Sequence, residues 1–254
     1  MTFETAASEY IKAHKPGWSN ARHAAQWANA LDTYASPTIG KKAAATSNTE
    51  DVLQLLRPIW SEKTETASRV RSRVELVRSY ARAMKWREGE NPARRGHLDA
   101  LLPKPGKVRA VMHHPALPFA RVPSFMAKLA TVEGSGARAL EFAILTAARS
   151  GEVRLLTSRE LDLDGAVWTV PAARMKAKRD HRVPLSAAAA HVLERSPTVD
   201  ENPSTFAGTR KKSPVSDVTL AAAIGRLNEA TTPAPWVDPK TGNEVVPHGF
   251  RSCA

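Results

Sequence analysis

Five residues at three places in the chain have the types and spacing to hold an anion and move a proton. Arg149 and Glu152 form an RxxE. Lys176, followed closely by Lys178 and Arg179, stands seven places before Val183-Pro184-Leu185. His248 and Arg251 form an HxxR near the end of the 254 residues. A guanidinium stays charged and offers a planar fork that donates two parallel hydrogen bonds to a phosphate. An imidazole can donate to the same group or carry a proton. A lysine on a hairpin tip can reach into a groove and release a proton there. Taken singly, each has a plainer role. Arg149 could simply pair with Glu152 three places on, His248 could be structural, and Lys178 or Arg179 could stand in for Lys176. His181 reads as part of the hairpin itself.

The elements that must position these groups lie mostly between Ala137 and Leu185. Ala137 to Ala148 is apolar on nearly every side, the pattern of a buried helix. It runs into Arg149, which is therefore expected to be buried and to need an anionic partner. Ser150 can cap a second helix that carries Glu152, Val153, Leu155 and Leu156. Two strands follow, Val167–Val170 and His181–Leu185, separated by a basic turn with Arg174, Lys176, Lys178 and Arg179.

This ordered set resembles the tyrosine recombinases, or phage-type integrases, above all those of prophages and genomic islands. The likeness runs over nearly the whole chain. It implies a fold that is mainly α with a small β-sheet: a helical, SAM-like core-binding domain followed by an α+β catalytic domain. It also implies DNA strand exchange through a covalent 3′-phosphotyrosine, with double-stranded DNA as partner, a homo-tetramer on that DNA, and neither cofactor nor metal. By motif match Arg149 and Arg251 hold the scissile phosphate and His248 joins them. Lys176 protonates the leaving 5′-oxygen, and Glu152 orients its neighbours. In that family two further helices follow the HxxR and carry the nucleophilic tyrosine, and a small arm-binding domain precedes the equivalent of Phe3. Here Ser252, Cys253 and Ala254 follow Arg251, and the tyrosines are Tyr10, Tyr34 and Tyr80. None matches the nucleophile, so the expectation is a chain truncated at both ends that binds DNA without cleaving it. A non-catalytic DNA-binding remnant or a type IB topoisomerase-like enzyme are the alternatives; the helical first domain and the short hairpin favour the integrase.

Charge supports a polyanion partner: 37 Lys+Arg against 25 Asp+Glu gives +12 at pH 7. One cysteine excludes an intramolecular disulfide and a cysteine-rich zinc site. The N-terminus lacks a signal-peptide pattern and no apolar run approaches membrane length, which points to a bacterial cytoplasm and the nucleoid. Residues 1–103 read as the helical domain, 104–115 as a connector and 116–254 as the catalytic domain. In the first, helices are expected at Phe3–His14, after an Asn20 cap, at Glu50–Trp60 capped by Thr49, and at Thr64–Lys85, with a loop from Ser36 to Asn48. The last helix carries a stripe of Val70, Val74, Val77 and Ala81. Arg69, Arg71, Arg73, Arg78 and Arg82 crowd its other faces and are expected to meet the DNA backbone. Asn91–His114, rich in proline and glycine and bearing Arg94 and Arg95, reads as a basic linker. Arg210, Lys211 and Lys212 form a further basic loop. Together the two domains are expected to close on duplex DNA as a clamp.

Overall fold

The computed structural model describes residues 1–18, 21–108, 113–175, 177–230 and 235–252. Two compact units divide the chain, Met1–Val111 and Met112–Ala254.

The first unit is helical. α1 (Phe3–His14) starts where the Thr2 side chain accepts from the Thr5 amide. α2 (Ala21–Tyr34) follows; its expected Asn20 cap lies outside the described residues. The stretch expected as loop after Tyr34 begins with a π-helical turn, Ser36–Gly40, which buries Ile39. α3 (Thr49–Trp60) is capped by Asn48, one residue earlier than expected. Asn48 accepts from the Asp51 amide, and the Asp51 carboxylate accepts in return from the Asn48 amide. Pro58 does not end this helix. The carbonyl it deprives of a partner belongs to exposed Gln54, where water can satisfy it.

α4 (Thr64–Ala83) packs against α1, α2 and α3. Its Val70, Val74, Val77 and Ala81 are wholly buried, as i, i+4, i+7 spacing requires. The segment read as a linker from Asn91 folds back instead. It contains α5 (Arg95–Leu98) and α6 (Pro105–Val108), and Ala93, Leu98 and Leu102 enter the first core. Asn91 fixes the return by donating to the Glu75 carbonyl, and Trp60 donates to the Pro103 carbonyl at 2.9 Å. Scattered apolar residues among prolines look like connector, yet each gains by leaving water.

The second unit is built on α8 (Ser135–Thr146). α7 (Val122–Ala130), α9 (Ser150–Arg154), α10 (Ala187–Glu194) and α11 (Thr219–Glu229) all pack on it. Beside them lies an antiparallel sheet of β1 (Leu161–Asp162), β2 (Val167–Val170) and β3 (His181–Pro184), in that order. Trp168 opposes Val183 across β2 and β3. The Trp168 ring is fully buried against Phe142, with centroids 5.4 Å apart. Phe142 in turn meets Phe206. Strand β1 escapes sequence reading because two residues before a turn show no alternation. Among the described residues no helix is long and apolar enough to cross a membrane.

Candidate functional site

α8 ends at Thr146, and Ala147 then takes a left-handed conformation, φ 51°. That conformation is uncommon for a residue with a Cβ and turns the chain sharply. Arg149 therefore emerges from the helix end rather than remaining in the core. Its side chain is half exposed, which corrects the expectation of a buried arginine. The expected anionic partner is present: Arg149 Nη1 donates to Glu152 Oε1 at 2.6 Å. The Arg149 amide also donates to Glu152 Oε2 at 3.0 Å, so Arg149, not Ser150, occupies the cap position of α9. Burial pushes the Glu152 carboxyl upward. The two Arg149 hydrogen bonds and the charges of Arg149 and Arg251 outweigh it and hold the group below the usual carboxylate range.

Arg251 comes to the same place from 104 residues away. Its Nε donates to the Ala147 carbonyl at 2.9 Å. The HxxR segment is held by packing on both sides of the motif. A Cβ on Gly249 would overlap the Pro115 carbonyl, so only glycine permits this approach of backbone to backbone. Phe250 packs on Phe125 with the rings tilted 36° and centroids 4.7 Å apart. The Val246 amide donates to the Pro115 carbonyl, and the Ala116 amide to Asp238 Oδ2. His248 remains exposed, with its ring 4.6 Å from that of His114. Burial first, then the charges of His114, Arg251 and Arg149, lower its pKa from the usual histidine value. The charges of Arg149 and Arg251 thus act on both Glu152 and His248.

Arg174 ties the hairpin to Glu152. It pairs with Glu160 and donates to the Glu152 carbonyl at 3.3 Å. Glu160 also accepts from Trp168. Lys176 lies outside the described residues. Around it Asp180 closes the turn by accepting from the Ala172 amide at 2.7 Å. Lys178, with φ 52°, and Arg179 are exposed. Arg210, Lys211 and Lys212 are exposed on a tight loop, where the Gly208 amide donates to the Ser213 carbonyl.

In the first unit the arginines of α4 do not form one outward face, which corrects part of the expected DNA surface. Arg78 is 1% exposed. It donates to the Ser47 carbonyl at 3.1 Å and lies over the Phe3 ring. Burial, then the neighbouring Arg87 charge, push its pKa down to about 10 against the opposing effect of Asp51. Arg71 is buried too, donating to Glu75 and to the Ala93 carbonyl. Both face inward because seven residues are nearly two helical turns, which puts them on one side of α4. Arg73 is a strut to α2, donating to the Gln26 carbonyl at 2.7 Å over the Trp27 ring. Arg69, Arg82, Arg94 and Arg95 are exposed. Sequence spacing does not single out His114, which contacts the His248 ring, or Gly249, which lies against Pro115. The only local signals were an HxxR with glycine inside it and a pair of histidines before a proline.

Residues 116–254 match the phage integrase family, and residues 3–97 match the phage integrase central domain. The chain belongs to the phage integrase family. It is 31% identical to an integrase of Enterobacteria phage P4, over all of this chain and 57% of the relative. It is 30% identical to the prophage integrase IntZ of Escherichia coli strain K12, over 89% of this chain and 54% of the relative. The chain therefore spans little more than half the length of either. Its fold is similar to that of a lambda integrase dimer bound to a COC′ core site, with TM-score 0.74, 15% identity, and 100% and 88% of the two chains covered. A Tn1549 transposon integrase in complex with transposon right end DNA gives TM-score 0.71 at 15% identity, covering 100% and 85%.

Proposed function

We propose that these residues form the DNA-binding and phosphate-activating part of a site-specific recombinase, which joins strands through a 3′-phosphotyrosine. The observation that carries this reading is the meeting of Arg251 with the end of α8, where Arg149 and Glu152 stand. In such a transfer the tyrosine hydroxyl gives up its proton to solvent as its oxygen bonds to phosphorus, the bond to the 5′-oxygen breaks, and that oxygen takes a proton. Negative charge develops on the nonbridging oxygens, and fixed guanidinium donors aimed there stabilise it. Arg149 and Arg251 take this part, with His248 as a third donor. Glu152 holds Arg149 in place, and Lys176 supplies the proton to the departing oxygen. Lys178, Arg179, Arg210, Lys211, Lys212, Arg69, Arg82, Arg94 and Arg95 neutralise backbone phosphates, which gives affinity and orientation rather than sequence choice. The working assembly is a homo-tetramer on double-stranded DNA.

The nucleophile is none of the tyrosines in these 254 residues. Tyr10 is buried among His14, Trp27 and Tyr80, while Tyr34 and Tyr80 pack against the same core. The test is a nicked duplex carrying the element's own end sequence, run on native and denaturing gels. The 254-residue polypeptide is expected to shift the duplex without forming a covalent adduct. An adduct mapped to Tyr10, Tyr34 or Tyr80 would overturn the assignment.

A further inference from the structure

His114 lies outside the RxxE, lysine and HxxR set, yet it makes the ring contact to His248. The two imidazoles meet edge to face, 69° between planes and 4.6 Å between centroids. The contact is built in by backbone on both sides. Pro115, next to His114, accepts from the Val246 amide, two residues before His248. Pro115 also lies against Gly249, immediately after His248. Ala116 is tied to Asp238. With the residues after His114 and around His248 pinned together, the His114 ring limits where the His248 ring can go. We propose that His114 is a positioning residue of the phosphate site: with the backbone that follows it anchored at Pro115 and Ala116, its exposed ring restricts the His248 ring within the HxxR segment, whose Arg251 meets the end of α8. The proposal rests on the recombinase reading for its substrate, a phosphodiester of DNA.

The physical consequence is pre-organisation. A donor already held where the phosphate oxygen arrives loses little freedom on binding, whereas a free imidazole must be ordered first. The charges that act on His248 are those of His114, Arg251 and Arg149, and the charges of Arg149 and Arg251 act on Glu152 as well. Charge on His114 opposes charge on His248, as the neighbouring guanidinium groups also do. An arriving phosphate reverses that balance and favours the charged, donating imidazole.

The experiment follows the His248 ring proton by NMR against pH, assigned with His248→Gln, in the wild type, His114→Phe and His114→Ala. Each is titrated with inorganic phosphate and, separately, with a mixed-sequence duplex. Phenylalanine keeps a ring against His248 and removes the ionisable group. Its His248 signal should keep the ring-current displacement and titrate at higher pH than in the wild type. Alanine should lose the displacement and bind phosphate about two- to tenfold more weakly than the phenylalanine variant, which lacks the same charge but keeps the ring, the range set by one aromatic pair. A wild-type His248 signal that responds to phosphate and is unchanged in both variants would overturn the role of His114 alone. A wild-type signal indifferent to both phosphate and duplex would overturn the phosphate-site reading itself. Should the alanine variant unfold, the phenylalanine titration and displacement decide the matter.

Discussion

At the scale of single residues, the site depends on one glycine and one carboxylate as much as on its cations. Gly249 lies where any Cβ would run into the Pro115 carbonyl. Gly249→Ala should therefore push the HxxR segment away from Pro115. Overpacking of this kind costs about 1–3 kcal/mol, and the lowered urea midpoint should be accompanied by loss of the Arg251–Ala147 bond. An unchanged midpoint with unchanged duplex affinity would show that the segment yields freely. Glu152 makes a pH prediction with a defined sign. Its pKa is lower folded than unfolded, so its contribution is fully present above the ordinary carboxylate value. That contribution disappears as pH falls through the lowered folded value. Urea unfolding of the wild type and Glu152→Gln should differ most near neutral pH and converge in acid. A gap that widens in acid would contradict the assignment.

At the scale of elements, helix α4 shows what a linear reading can and cannot distinguish. Its valine stripe was legible because every fourth or third residue is apolar. Its arginines looked equivalent, since charge alone does not tell a solvated guanidinium from one folded into a helix interface. Arg78 is buried against Phe3 and Ser47, whereas Arg69 and Arg82 stand in solvent. These two classes should separate in salt titrations of duplex binding. Replacing Arg69 and Arg82 together by alanine should flatten the slope of log K against log[salt] by up to about 0.9 for each phosphate no longer neutralised. Arg78→Met should leave that slope alone while costing about 1–3 kcal/mol of stability, because the buried Ser47 carbonyl loses its donor. A flattened slope with Arg78→Met would return that arginine to the DNA surface. The hairpin was legible for the opposite reason. Val167–Val170 is a run of β-branched and aromatic residues, and it and the strand from His181 flank a basic turn, whereas the two residues of β1 form no such run.

At the scale of the whole molecule, the RxxE and the HxxR could be found from spacing alone because each is a local motif. What brings them together could not, because Arg251 reaches Ala147 across 104 residues and His114 reaches His248 through packing around Pro115. Helix α8 is central to that convergence. Its end turns at Ala147, delivers Arg149 to solvent beside Glu152, and offers the carbonyl that Arg251 takes. The same logic explains why the Asn91–Pro103 stretch reads as a linker in the sequence: its few apolar residues matter only once α4 and Trp60 present a surface. The central claim is that Arg149 and Arg251 serve a single phosphate. A double-mutant cycle of Arg149→Ala and Arg251→Ala, read as duplex affinity at fixed ionic strength, tests it most directly. Two guanidiniums on one phosphate should give losses that overlap, with a coupling of at least about 0.5 kcal/mol. Losses that add without coupling, or no loss in either single variant, would contradict the claim.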